Sequence, residues 1–442
     1  MENKLEKQLT SRHITMLALG GAIGAGLFKG AGEAIGIAGP AVMIAFLLGG
    51  IILFIVMKGL GRLVLHQEQH NSGLSGLIEP LLGGRAAHFT DWVYWSLWMI
   101  NIIAEAVAAG SFLQLWFPHT PVWLFVLLIA LLTTMINLYS VRLFAETEYW
   151  LAFAKISVII LLILFGGYLV IQQFFETGPQ AFAQLTANGG FAPHGLKGLM
   201  NAMLVVIYSY GGSELIAITV SETADPKKAI PKAIKGVMGR IVSFYLLPLF
   251  LLMVIYPWQT LAHTSVSPFV MVFQKMHIPF ATDIVNFVIV LALFSSINSG
   301  VYASSRTLYF RLKDRTDGPA QALTKLNGHR VPQRAVLFCT GTLYIGVVFS
   351  YFLGNDLFNY LVGSLSYSVL LIWLLISFAA WRLAQQQGQK LQLAIGSLAI
   401  LALLIILCGI FATNNLVVTL VTAGLYGVIL LSYRTAPLLK QA

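Results

Sequence analysis

Residues 18–28 read ALGGAIGAGLF, an apolar run with four glycines, at 20, 21, 24 and 26, inside a stretch long enough to cross a membrane. A lipid-facing helix gains nothing from them, because glycine costs about 1 kcal/mol relative to alanine in a helix interior. A helix that opens inside a bilayer must have its freed N–H and C=O groups satisfied by a cavity or a ligand. Two half-helix ends at such a cavity offer N–H groups to an anion and carbonyls to a cation, so a zwitterion such as an amino acid suits both. Close helix packing explains the same glycines, since Gly20 with Gly24 and Gly26 with Gly30 keep the small-xxx-small spacing.

The surrounding chain has 442 residues, 58% hydrophobic and only 10% charged, with a mean hydropathy of +0.81. Such a balance over this length describes a polytopic membrane protein. Apolar runs of membrane length fall near 14–33, 39–60, 92–117, 121–140, 148–173, 197–221, 240–257, 280–308, 334–353, 355–381, 391–411 and 414–433. Twelve transmembrane helices are expected. Lys4, Lys7 and Arg12 ahead of the first run look superficially like a signal peptide, but the run is long enough to span and is expected to stay.

With the N-terminus in the cytoplasm, the inside segments collect Arg62, Arg85, Arg142, Lys227, Lys228, Lys232, Lys235, Arg240, Arg306, Arg311 and their basic neighbours through Lys440. The outside segments collect only Lys197 and Lys275. This is the positive-inside pattern, and it places both termini in the cytoplasm of a multi-pass cell-membrane protein. The net charge of +10 is therefore topological and does not point to nucleic acid. Residues 222–240, with Pro226 and Pro231 among lysines and helix formers, read as an amphipathic helix on the membrane surface. Cys339 and Cys408 lie in apolar spans, so neither a disulfide framework nor a metal site is indicated.

A second glycine break appears in span six, in Tyr208-Ser209-Tyr210-Gly211-Gly212-Ser213-Glu214, five helices after the first. Interrupted segments at matching places in two halves point to an inverted-repeat transporter with its site between them.

Glu105, Lys155 and Glu214 lie well within spans, and each would cost roughly 2.5–3.5 kcal/mol or more facing lipid alone. Such residues face the bundle interior or a water-filled path. Lys155 can exchange a proton as the cavity opens to each side, or it can form a fixed salt bridge with Glu105 or Glu214. Glu105 either meets a substrate amine or braces a neighbouring helix. Glu214 either contacts substrate or caps the freed N–H groups after the glycine pair. Glu146, Glu148 and Glu222 fall near cytoplasmic span ends, as gate residues or as solvated helix ends. Tyr208 and Tyr210 either roof a substrate or pack. Trp92, Trp95 and Trp98 read as an interfacial belt, and Ser295, Ser296, Asn298 and Ser299 as a polar face of span eight.

Several stretches together resemble the bacterial amino acid transporter family of the amino acid-polyamine-organocation superfamily. They are RHITMLALGGAIGAGLF at 12–28, NLYSVRLFAETEYWLAFAKI at 137–156, YSYGGSELIAITVSETADPKKAIPKAI at 208–234 and SSINSGVYASSRTLYF at 295–310. The resemblance implies an all-α, LeuT-type five-plus-five inverted repeat with spans one and six unwound. Repeat one would occupy 14–173 and repeat two 197–381, with peripheral helices at 391–433 and tails at 1–13 and 434–442. It also implies that a substrate carboxylate sits on N–H groups around Gly24, Ala25 and Gly26, with its amine near the carbonyls of Ala22, Ile23 and Tyr208. An aromatic of the Tyr208–Tyr210 run, beside Gly211, would close over it, and Lys155 would stand where sodium-coupled relatives bind sodium. The chain departs from the family at Ala25, usually Thr or Ser, and in the cytoplasmic stretch after span two, where Arg62 stands at an acidic position.

The expected activity is permease action, proton-coupled uptake of an L-amino acid or exchange of one amino acid for another or for an amine. The expected partners are the substrate, protons and the lipid bilayer, in a monomer or weak homo-oligomer without cofactors. An enzyme is disfavoured because the nine histidines fall in loops or near span ends and no nucleophile elbow or phosphate loop is present. A channel would be exposed by conductance far above carrier turnover.

Overall fold

The computed structural model describes residues 23–66, 73–138, 141–215, 226–264, 266–313, 318–327 and 331–435, and these are helical, with no strand among them. Ala22 and Glu222 lie outside the described residues, as do residues 14–22 of the first apolar run. The helices are α1 (Ala25–Phe28), α2 (Gly30–Ala38), α3 (Val42–His66), α4 (Leu74–Leu82), α5 (Gly84–Leu113), α6 (Val122–Asn137), α7 (Val141–Thr177) and α8 (Gly195–Tyr210). There follow α9 (Pro226–Lys235), α10 (Val237–Ile241), α11 (Leu247–Ile255), α12 (Trp258–Ala262), α13 (Pro268–Lys275) and α14 (Ala281–Leu312). The remaining helices are α15 (Gly318–Leu323), α16 (Gln333–Leu353), α17 (Leu357–Gln386), α18 (Lys390–Thr413) and α19 (Leu416–Thr435).

Eight helical stretches among the described residues are long and apolar enough to cross a membrane. Two of them, Gly30–His66 and Gln333–Gln386, pass through tight turns at Gly39–Ala41 and Gly354–Asp356. Both turns begin on a glycine with positive φ, +60° at Gly39 and +54° at Gly354, a conformation that side chains with a Cβ rarely adopt.

The core is built around α5 and α14, which approach closely enough that a Cβ on Gly300 would lie 2.5 Å from Ile102 and 2.9 Å from Trp98. The most apolar window of α5 is 78% buried, whereas those of α18 and α19 are 22% buried. The last two helices therefore lie at the periphery and turn most of their surface outward, as lipid-facing helices do.

Two helices begin earlier than their hydropathy indicates, and this relocates two residues. Helix α5 starts at Gly84 rather than near 92, so Trp98 lies about 21 Å along the helix. Trp98 is buried in the core and is not part of an interfacial belt. Helix α7 starts at Val141 rather than at 148, which puts Glu148 two turns inside it. Of the amphipathic helix expected over 222–240, the described residues show α9, with Lys227, Lys228, Lys232 and Lys235 exposed. Its Ile230, Ala233 and Ile234 are buried, with Ile234 so close to Gly61 of α3 that a Cβ there would lie 2.6 Å away. Arg240, counted with the basic residues of the inside segments, is buried.

Candidate functional site

Helix α1 begins abruptly. Gly24 ahead of it is extended, with φ −144° and ψ −152°, so the first N–H groups of α1 have no partner from a preceding turn. Helix α8 ends just as abruptly: its last residue is Tyr210, Gly211 turns away with ψ 152°, and Gly212 takes a positive φ of +90°. These two ends lie side by side, and the contact explains two glycines. A Cβ on Gly26 would stand 2.5 Å from the Ser209 Cα, and one on Gly30 2.9 Å from Val205. The Ser209 hydroxyl donates to the Gly26 carbonyl at 2.8 Å. Gly26 and Gly30 thus serve close packing, one of the two readings the sequence left open.

Gly24 has different neighbours. Beside it lies a hollow of about 20 Å³, lined by Gly24, Gly26, Leu97, Trp98, Asn101, Glu105, Tyr208, Ser209, Gly211, Gly212, Ser296, Leu365 and Val369. That is room for a single water. The Glu105 carboxylate fills the rest: its Oε2 accepts the Ala25 N–H at 3.0 Å, and a Cβ on Gly24 would fall 2.5 Å from Oε1. The Tyr208 hydroxyl donates weakly to Glu105 Oε1 at 3.5 Å. A protein carboxylate therefore sits on the backbone N–H where the family pattern implies a substrate carboxylate. Ile23 is buried next to Gly24, and the Tyr208 carbonyl accepts the Gly211 N–H at 3.0 Å.

The two tyrosines separate. Tyr208 lines the hollow, whereas Tyr210 points away, donates to the Phe46 carbonyl at 2.8 Å and packs on Phe46 and Tyr245. Tyr210 belongs to the packing. Glu214 lies outside the hollow as well. Its Oε1 accepts the Gly212 N–H at 3.1 Å and its Oε2 the Trp373 indole N–H at 3.5 Å, so it caps the turn after α8. Arg240 holds the same turn by donating to the Ser213 hydroxyl at 2.7 Å.

Lys155 of α7 is buried, in the field of Glu148 first and Glu105 second. Glu148 is not a solvated helix end. Its carboxylate accepts Ser295 at 2.6 Å, Asn298 at 3.1 Å and Ser299 at 3.1 Å, and it is buried with them. Asn298 also accepts from Asn137 of α6. The polar face of α14 thus divides: Ser296 lines the hollow, while Ser295, Asn298 and Ser299 hold Glu148. Glu146 is half-buried one half-turn earlier. Trp98, Leu365 and Val369 were missed as lining residues because they meet around the hollow only in the folded bundle.

A family model described as amino acid permease matches residues 13–439. The chain is 48% identical to the uncharacterized amino acid permease YvbW of Bacillus subtilis over 97% of each chain. It is 45% identical to the aromatic amino acid permease FywP of Lactococcus lactis, covering 86% of this chain and 85% of that one. The D-serine/D-alanine/glycine transporter of Escherichia coli is 38% identical over 79% of this chain and 74% of its own. Among solved structures, a substrate-bound, outward-open sodium-coupled sialic acid symporter superposes with a TM-score of 0.57 at 13% identity. It covers 90% of this chain and 89% of that one, a likeness in fold alone.

Proposed function

This chain belongs to the amino acid permease family, and from that premise we propose that it is a secondary active permease for an L-amino acid with an apolar side chain. The single observation that carries the reading is the 3.0 Å hydrogen bond from the Ala25 N–H to the Glu105 carboxylate. It supports the view that this helix start accepts a carboxylate in the protein interior. In the loaded carrier the substrate carboxylate takes that N–H, Glu105 swings toward the substrate ammonium, and the Tyr208 ring covers it. The substrate side chain then meets Leu97, Trp98, Leu365 and Val369, which favours an apolar group and agrees with the name of the aromatic amino acid permease FywP.

The finer architecture belongs to the same reading. Twelve spans form two inverted repeats of five with two peripheral helices, spans one and six are unwound, and both termini are cytoplasmic. Lys155, between Glu148 and Glu105, is the group that couples transport to protons, and Glu146 and Glu222 act at the cytoplasmic gate.

A melting-temperature panel of all L-amino acids and their amines on the purified protein tests the substrate class. The reading expects stabilisation by large apolar amino acids and none by the amines, since binding to the folded state alone raises stability. Uptake into vesicles with and without an imposed pH gradient then separates symport from exchange. Accumulation that ignores the gradient but is stimulated by amino acid on the far side identifies an exchanger.

A further inference from the structure

Where α5 begins and α19 ends, a cavity of about 230 Å³ is lined by Arg85, His88, Leu430, Leu431 and Tyr433. It lies at the end of the bundle that carries Arg311 and Lys313, which the charge pattern makes the cytoplasmic side. Its volume falls below the roughly 300–1,000 Å³ of small-molecule sites, so it suits a compact group.

One lining residue is locked in place. His88 is buried, and an arginine can only donate, so the Arg311 guanidinium 2.6 Å from Nδ1 makes that nitrogen an acceptor. The ring hydrogen then sits on Nε2 and goes to the Ser432 hydroxyl at 2.8 Å, whose own hydrogen goes to the Ile429 carbonyl at 2.7 Å. His88 is therefore a neutral link joining α14, α5 and α19. It keeps no N–H for a guest.

Arg85 and Tyr433 supply the donors. Arg85 is exposed, its guanidinium stands 5.9 Å from the centre of the Tyr433 ring, and among the described residues no carboxylate pairs with it. The Tyr433 hydroxyl stands 3.4 Å from where a Cβ on Gly84 would lie, with the carboxylate of the exposed Glu79 3.5 Å from the same point and outside the lining. A planar guanidinium fork matches the oxygens of a phosphate. Leu430 and Leu431 complete the cavity, and they are 54% and 63% exposed on a helix that turns most of its surface outward. The cavity is thus continuous with the lipid-facing surface.

We propose that it holds the phosphodiester of an anionic phospholipid of the cytoplasmic leaflet, with Arg85 and Tyr433 on the phosphate and the acyl chains along Leu430 and Leu431. Bound there, the headgroup bridges α5 and α19, apart from the inner hollow and from whatever amino acid the carrier moves.

The test is native mass spectrometry of the purified full-length protein titrated with dioleoyl phosphatidylglycerol, dioleoyl phosphatidylcholine or inorganic phosphate. The wild type is expected to bind one phosphatidylglycerol more tightly than phosphatidylcholine. Arg85→Gln is expected to weaken it about fivefold or more, the share of one basic residue at an anionic leaflet. Arg382→Gln, the same loss of charge at an exposed position outside the cavity, is expected to leave it unchanged. Tyr433→Phe keeps the ring, removes the hydroxyl and is expected to weaken the same lipid, which keeps the test decisive should Arg85→Gln fold poorly. Equal binding of the two lipids, or an equal loss in Arg85→Gln and Arg382→Gln, overturns the proposal. Inorganic phosphate that binds as tightly as phosphatidylglycerol and is lost in Arg85→Gln would make this a site for a soluble anion and overturn the lipid. Transport enters none of these readouts, so the permease reading stands whichever way they fall.

Discussion

The Glu105 carboxylate and the Ala25 N–H, 80 residues apart in sequence, are joined by a 3.0 Å hydrogen bond at the start of a buried helix. A charge-assisted bond of this type is stronger than a neutral one, so an incoming carboxylate competes with a ligand the protein already owns. Exchange is feasible only if Glu105 gains a new partner, and the substrate ammonium is the one at hand. Glu105→Gln removes the charge that would attract the ammonium, and affinity for a zwitterionic substrate is expected to fall tenfold or more, about 1.4 kcal/mol. An acid lacking the amine, 3-phenylpropionate, is expected to bind the variant no more weakly than the wild type. Calorimetric titration of both ligands checks the split, and an equal loss for both would show that Glu105 only braces the helix.

Gly24 and Gly26 are two residues apart but fail differently on substitution. A Cβ at Gly24 meets the end of a movable side chain, Glu105 Oε1, whereas one at Gly26 meets backbone, the Ser209 Cα, each at 2.5 Å. Gly24→Ala is expected to fold, with a melting temperature within a few degrees of wild type, and to lose uptake as Glu105 is displaced. Gly26→Ala forces α1 and α8 apart, and overpacking of that kind costs typically about 1–3 kcal/mol. A lowered melting temperature and poor folded yield are expected. Reversed phenotypes would place the ligand against Gly26.

Much of this site is legible in the sequence because its signals are local. Glycines in an apolar run and charges within spans are visible without coordinates: the first mark Gly24 and the break next to Tyr208, the second Glu105 and Lys155. The relation between Tyr208 and Tyr210 was legible too, since positions two apart on a helix point about 200° apart and one of them had to face away. Glu148 and Trp98 were misplaced because a hydropathy window closes where polar residues begin, whereas α7 and α5 extend past them as helices. The landing of Glu105 on Ala25 and the gathering of Ser295, Asn298 and Ser299 around Glu148 are contacts between distant segments. No local pattern specifies them.

Tyr208→Phe and Tyr210→Phe separate roofing from packing. Tyr210 loses a buried hydrogen bond to the Phe46 carbonyl, and the variant is expected to lose about 1 kcal/mol of stability with unchanged substrate affinity. Tyr208→Phe loses only a weak bond to Glu105, so its stability should hold while affinity shifts with the freed carboxylate. Denaturation midpoints and binding curves on the two proteins check this, and an affinity loss confined to Tyr210→Phe would reverse the assignment.

Glu148 and Lys155 form the pair on which the coupling reading turns. Glu148 takes hydrogen bonds from three side chains of α14 and lies in the field of Lys155, two turns further along the same helix α7. Removing one partner leaves a buried charge uncompensated, at a typical cost of about 3–5 kcal/mol, whereas replacing both by neutral groups of similar size is often mild. Glu148→Gln and Lys155→Met are therefore each expected to lower the melting temperature by more than the double variant does. The transport outcome differs from the stability outcome. Lys155→Met and the double variant are both expected to lose accumulation driven by a pH gradient while retaining exchange of labelled for unlabelled substrate, because exchange needs no net proton movement. Vesicle uptake under an imposed gradient, run beside counterflow, reads the two separately. A double variant that melts like the wild type and still accumulates substrate in response to the gradient would remove Lys155 from the proton path and leave the pair as a structural bridge.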